Sequence, residues 1–322
     1  MLSTPKKLKM GGQAVIEGVM MRAEDNWAVA VRTPEGEIVV KTEPWRSIGK
    51  KVRILDMPVL RGAIILVETL VLGIKALCFS AEASAENQAP EENGSTVSEK
   101  PAGSGEKGFW WTAYLVGTVF FSLLFGLALF FYLPLLMTEI LGISSPFWFN
   151  VVDGVLRIAV FLVYLLVISR WKEIGRVFEY HGAEHQTIAA FEARKELSWE
   201  NIRHYSRFHP RCGTSFVLVL LVLSIFIFMF FGKPADWGER FLRMLAVPVI
   251  GGISYELIKL SDRFPNNIIT RIVVAPGLWL QKITTRPPDE SQVEVAVTAL
   301  KSALKLDIFP LEEPVAVPAH DG

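Results

Sequence analysis

MPVLRGAIILVETLVLGIKALCFSAE, residues 57–82, decides the topology of the chain. It is apolar and close to the roughly 20 helical residues that cross a hydrocarbon core of about 30 Å. Yet Arg61, Glu68, Lys75 and Glu82 recur every seven residues, near one face of a helix. Charges so placed predict a helix that lies on or partly in the membrane, or packs on a bundle, rather than a free span.

Four longer apolar runs follow, at about Trp110–Leu136, Val151–Ser169, Ser215–Phe231 and Phe241–Leu260. Each is long enough to cross a bilayer. Aromatics stand at their ends (Trp110, Trp111, Phe147, Trp148, Trp171 and Trp237), as at a membrane interface. The chain is 51% hydrophobic, with a mean hydropathy of +0.35, above the range of soluble proteins. These features predict a multi-pass membrane protein in contact with lipid. Net charge is zero, so nucleic acid is not an expected partner. Two cysteines, Cys78 and Cys212, in 322 residues provide no disulfide framework and suit a reducing compartment.

Basic residues orient the spans. The segment before the first run, residues 170–211 and the tail after Lys259 are rich in Lys and Arg. MTEILGISSPFWFN (137–150) has none, and residues 232–240 hold two, balanced by acids. Four spans with both termini cytoplasmic satisfy every loop. A fifth span at 57–82 would put the most basic loop outside.

Outside the spans, residues 11–42 alternate in strand fashion around a turn at Pro34-Glu35-Gly36. They predict a small three-stranded sheet within residues 1–56. Residues 83–108 read as a disordered linker. Residues 109–288 form the four-span region, with a cytoplasmic loop at 170–213. IITRIVVAPGLWLQKI (268–283) predicts an interfacial or re-entrant segment. Residues 289–322 read as an amphipathic helix followed by a loose tail. The expected class is an α+β integral membrane protein.

The chemistry gathers in one stretch. YHGAEH (180–185) predicts part of a helix continuing the second span. On a helix, His181 and His185 share a face and can grip one metal. Glu184 stands beside them, placed to take a proton from water that a cation has acidified. The H-x-x-E-H order is the inverted zinc-protease pattern. Gly182 is out of place in a helix interior, unless it admits a close-packed backbone or a substrate. HPRCGTSF (209–216) adds His209 and Cys212 at the same membrane face. All four would close a structural tetrahedron, whereas three would leave an open, catalytic position. Cys212 also reads as a small buried residue at a helix start.

Glu256, near the cytoplasmic end of the fourth run, is a further candidate ligand, or an ion-pair partner of Lys259 or Arg263. Glu17 either reaches the cluster or pairs with Arg22 or Arg61. Asp153 and Arg157 are expected to pair. His204 and His320 suggest no role.

Together, GGQAVIEGVMMR (11–22), YHGAEH, HPRCGTSF and APGLWLQKITTRPPDESQVEVAVTAL (275–300) resemble the YqhQ-like family of bacterial membrane proteins. That family is catalogued as a domain of unknown function and labelled a predicted metal-dependent enzyme. The resemblance implies a bacterial inner-membrane location and directs attention to His181, Glu184, His185, His209 and Cys212. The leading expectation is a hydrolase using a divalent metal of the zinc type, acting on a peptide or lipid headgroup. Its rivals are a membrane scaffold bound to a cytoplasmic partner such as a ribosome or translocation machinery, and a transporter, which would need an oligomer to form a pathway.

Overall fold

The structure is a computed structural model and describes residues 10–50, 53–85, 106–264 and 267–305. It opens with a four-stranded antiparallel meander of β1 (Gly11–Val15), β2 (Gly18–Arg22), β3 (Asn26–Arg32) and β4 (Ile38–Pro44), in the order β1-β2-β3-β4. The sheet has four strands, not three, because GGQAVIEGVMMR folds back on itself at Ile16-Glu17, bringing Val15 opposite Gly18. Glu17, the second turn residue, takes a left-handed φ of 50°. At Gly18 a side chain would meet the carbonyl oxygen of Ala30 at 2.3 Å.

Strand β3 is buried on both faces, so its alternation is large against small rather than apolar against polar. Trp27, Val29 and Val31 pack with Leu72, Ala76 and Ala83 of helix α1 (Leu60–Ala85). Ala28 and Ala30 face the other way, onto α5 (Lys172–Glu192) and α10 (Glu290–Leu304). The sheet is thus the middle of three layers. Helix α10 starts as its sequence dictates: Asp289 accepts from the Gln292 backbone, and the Gln292 side chain accepts from the Asp289 N–H. The Gln292 amide also donates to Glu179 of α5 at 2.8 Å. Residues 289–304 therefore belong to the same body as the N-terminal sheet.

Beyond the sheet lie α2 (Glu106–Leu127), α3 (Leu133–Ile140), α4 (Pro146–Ile168), the short α6 (Trp199–Ile202), α7 (Gly213–Phe228), α8 (Trp237–Arg263) and α9 (Ile268–Thr284). A π-helical turn, Ala128–Tyr132, joins α2 to α3. It precedes Pro134, whose missing N–H and bulky ring an α-helical turn would not accommodate. Helices α1 and α2 extend to Ala85 and back to Glu106, so the ends of the expected 83–108 linker are helical. The rest of that linker, 86–105, and the expected loose tail at 306–322 lie outside the described residues.

Among the described residues, five helices are long and apolar enough to cross a membrane, against four expected: Leu60–Ser84, Gly117–Ile140, Pro146–Ile168, Gly213–Phe231 and Trp237–Ser261. The additional one is α1, which turns its first two charges inward. Arg61 makes a two-pronged ion pair with Glu256 of α8. Glu68, only 4% exposed, accepts from the Ser47 hydroxyl at 2.9 Å and the Ile48 N–H at 2.7 Å. Gly62 and Gly252 let α1 and α8 touch backbone to backbone. Leu60, Val67, Leu70, Val71 and Leu77 remain exposed on the outer side of α1. Asp153 and Arg157 pair within α4 at 2.9 Å.

The stretch holding YHGAEH does not continue the second span. The chain turns at Ser169–Trp171, and Trp171, with extended backbone, starts α5 as a new helix. The turn frees α5 to leave the apolar bundle and lie under the sheet. IITRIVVAPGLWLQKI is α9, a helix packed on α7 and α8. A side chain at Gly277 would meet Ser215 at 2.4 Å, so this glycine lets α9 close on the start of α7.

Candidate metal centre

The site forms where α5, the 207–212 loop, the start of α7 and the end of α9 meet. His181 and His185, one turn apart on α5, bring their rings to 4.4 Å between centroids. Cys212 is the N-cap of α7. The ligating atoms of His181, His185 and Cys212 all lie within 4.8 Å of one another. A tetrahedral zinc, with nitrogen at about 2.0–2.1 Å and sulfur at about 2.3 Å, holds its ligand atoms roughly 3.5 Å apart. A small contraction of this group would therefore seat the ion.

Each imidazole is oriented by its far nitrogen. His181 Nδ1 lies 2.8 Å from the carbonyl of Thr284, and His185 Nδ1 lies 2.6 Å from the carbonyl of Arg207. A carbonyl only accepts, so both Nδ1 atoms carry the proton. In each neutral ring the lone pair is then on Nε2. His181 Nε2 faces Cys212 Sγ at 3.1 Å. His185 Nε2 is buried without a hydrogen-bond partner, although the residue is only 1% exposed. An orphaned lone pair of this kind is costly, and a cation between the three donors would satisfy it. Backbone carbonyls behind both histidines are the outer support that metal-binding imidazoles receive. Cys212 Sγ also accepts from the Thr214 N–H at 3.4 Å and lies 3.1 Å from the Thr214 hydroxyl. Both contacts fix the sulfur at the start of α7.

Glu184 lies next to this group but outside it. Its side chain rests on β1, where a Cβ at Gly12 would come within 2.8 Å of its Cγ, Cδ and Oε1. Its Oε2 is buried without a partner. Burial pushes its carboxyl up to about 7, with His181 pulling the other way. Such a group holds or releases a proton near neutral pH.

The remaining sequence candidates are placed elsewhere. The ring of His209 is 5.6 Å from that of His185, but His209 is not in the three-donor group. Its backbone is clamped by Gln281, which accepts from the His209 N–H at 2.7 Å and donates to its carbonyl at 2.8 Å. Glu256 is engaged by Arg61. Glu17 is bound by Arg176 through two contacts of 2.5 Å and lies 3.3 Å from the Tyr180 hydroxyl, so neither Arg22 nor Arg61 is its partner. Neither Glu256 nor Glu17 is in the three-donor group.

Three contributors were not evident in the sequence. Gln281, fully buried, holds the HPRC loop. Its signal is a lone amide in the apolar run GLWLQKI. Thr284 and the strap after it support His181. Arg286 donates its N–H to the Phe178 carbonyl at 2.8 Å, and Pro287 and Pro288 keep the strap extended. Gly182 admits that strap, since a Cβ there would lie 2.1 Å from the Arg286 carbonyl oxygen. The glycine thus serves a close-packed backbone. A groove of about 840 Å³, along Gly117–Phe130 and Tyr164, holds none of the ligating residues.

A three-layer α/β/α body on a bundle of apolar helices, with a His-His-Cys group at their junction, defines a membrane-type α+β protein with a candidate metal centre. The chain belongs to the family described as "Protein of unknown function (DUF1385)", whose model matches residues 57–306. It is 30% identical over 316 residues to "Uncharacterized protein YqhQ" of Bacillus subtilis (strain 168), covering 97% of this chain and 96% of that protein. No solved structure matches.

Proposed function

We propose that the protein is a metal-dependent hydrolase at the cytoplasmic face of a bacterial inner membrane. The observation that carries the metal reading is the pair of imidazoles with Nδ1 bound to carbonyls, and with Nε2 turned toward each other and toward Cys212. His181, His185 and Cys212 would hold a divalent ion, zinc by the nitrogen and sulfur donor set. Three protein ligands leave one position for water or substrate. When bound, the ion would supply Lewis acidity. Glu184 would carry the proton between water and leaving group, at a pKa suited to both directions. The substrate is a peptide or lipid headgroup reaching the site from the inner leaflet.

Two features support the membrane placement. The basic segment 170–211 lies at the same end of the bundle as the sheet, while the opposite loops are poor in or balanced for basic charge. This gives four spans with both termini cytoplasmic. Half of α1 covers a sheet whose β4 is largely exposed. A crossing α1 would draw that open strand edge into hydrocarbon, which is prohibitively costly. Helix α1 therefore lies in the interface, with Val67, Leu70 and Val71 turned to lipid.

A second reading is favoured by the burial of His185 and Cys212 (1% and 7% exposed) where four segments converge. In it the ion is a structural clamp in a scaffold that binds a cytoplasmic partner. Complementation of a deletion strain separates the two. In the hydrolase reading Glu184→Gln keeps its metal and abolishes function, whereas in the clamp reading it keeps both. Glu256, the residue a transport reading would use, is bound to Arg61.

A further inference from the structure

A second polar site lies at the other end of the bundle, where α7 ends and α8 begins. A cavity of about 300 Å³ is lined by Phe230, Phe231, Glu239, Leu242 and Arg243. Arg243 is 1% exposed. One amino group of its guanidinium donates to the Gly232 carbonyl, while the other, Nη1, is buried without a hydrogen-bond partner; the guanidinium also stands over the Phe228 ring at 5.2 Å. The buried acid acting on it is Asp153, which is engaged by Arg157 at 2.9 Å. The buried trio of Asp153, Arg157 and Arg243 therefore carries one excess positive charge. Glu239 attracts Arg243 from the surface without pairing with it. Its carboxylate is exposed and accepts from the Ala235 N–H at 2.6 Å.

Glu239 and Arg243 are four residues apart on α8, so they share a face and are separated by about 6 Å along the helix axis. Read as a spanning helix, α8 begins at an interface marked by Trp237 stacked on Tyr132. Arg243 is then the deeper charge and Glu239 the shallower. This order matches a zwitterionic lipid headgroup, whose phosphate lies below its amine. Three apolar walls are available to the first carbons of an acyl chain.

We propose that this cavity binds a phospholipid with a primary-amine headgroup, of the phosphatidylethanolamine class. Arg243 Nη1 donates to the phosphate, and the Glu239 carboxylate accepts from the ammonium. A choline headgroup has no N–H to donate, and a glycerol headgroup has no positive charge. The proposal rests on α8 crossing the membrane and is independent of the metal centre.

Native mass spectrometry of the delipidated protein in detergent, titrated with phosphatidylethanolamine, phosphatidylcholine or phosphatidylglycerol, tests it. Wild type should retain phosphatidylethanolamine about tenfold more tightly than the other two, the factor expected for one charge-assisted hydrogen bond. Glu239→Gln, which keeps an acceptor for Ala235, should reduce phosphatidylethanolamine to the level of phosphatidylcholine and leave phosphatidylcholine unchanged. Arg243→Gln should weaken all three. Water-soluble glycerophosphoethanolamine should compete weakly, because the acyl contacts are missing. Equal retention of the lipids by wild type, or a Glu239→Gln variant that keeps the preference, overturns the proposal even if Arg243→Gln fails to fold. A protein absent from the membrane fraction removes the reading of α8 itself.

Discussion

Gly182→Ala tests how the site is held. In an ordinary helix interior this change stabilises by about 1 kcal/mol. Here the new methyl would stand 2.1 Å from the Arg286 carbonyl oxygen and 3.3 Å from Pro288 Cδ. The strap must retreat by roughly 1 Å to restore normal contact. That retreat stretches two bonds of 2.8 Å, from Arg286 N to Phe178 O and from His181 Nδ1 to Thr284 O. Each is worth about 1 kcal/mol, and overpacking adds about 1–3 kcal/mol. After the helix gain, the net loss is about 2–4 kcal/mol. Losing the carbonyl behind His181 should also weaken metal binding about 10- to 100-fold. Thermal unfolding in detergent and zinc competition with a chelating dye would measure both. A Gly182→Ala protein as stable as wild type or more so, with unchanged zinc affinity, would refute the close-packed strap and its support of His181.

Other consequences are open to measurement. In metal-free protein the Glu184 carboxyl, about 7 when folded against an ordinary 4.5, keeps its proton over a range where the unfolded chain has lost it. Stability should therefore be full below pH 4.5, fall as pH rises from 4.5 to 7, and level off above, by about 3 kcal/mol at most. Glu184→Gln should flatten that profile in denaturation at several pH values. Gln281→Leu removes both bonds to the His209 backbone and one to Ser215. It should lower zinc affinity about 10- to 100-fold in dye competition, with the wild-type secondary structure retained in circular dichroism. Single cysteines at Met57 and Glu82, in a chain lacking Cys78 and Cys212, should react with an impermeant maleimide only in inside-out vesicles. Labelling of one of the two from the outside would make α1 a fifth span.

Much of the site was legible because it depends on short-range geometry. Helical spacing placed His181 and His185 on one face, and the span boundaries put Cys212 at the same end of the bundle. The amphipathic pattern from residue 289 marked α10. What was not legible depends on contacts between distant segments. Arg61 and Glu256 are 195 residues apart, and nothing local in either marks the other as its partner. The same holds for Glu17 and Arg176. The hairpin at Ile16-Glu17 was hidden because its turn lacks the usual Asn-Gly or Asp-Gly signal. His209 stands beside the three-donor group rather than in it, with its backbone fixed by Gln281, a residue 72 positions away. Helix α1 has spanning length and composition, and only its contacts with Trp27 and Val29 show what one of its faces covers.

The central claim is that His181, His185 and Cys212 form a metal centre. Elemental analysis of the purified protein, paired with cobalt substitution, tests it most directly. The account predicts close to one zinc per chain and, with cobalt, a near-ultraviolet sulfur-to-metal band. Zinc should be lost in His181→Ala and His185→Ala, and the band in Cys212→Ser, with zinc retained in Glu184→Gln and Glu256→Gln. A wild-type protein without stoichiometric metal, or one whose metal survives His181→Ala, would contradict it.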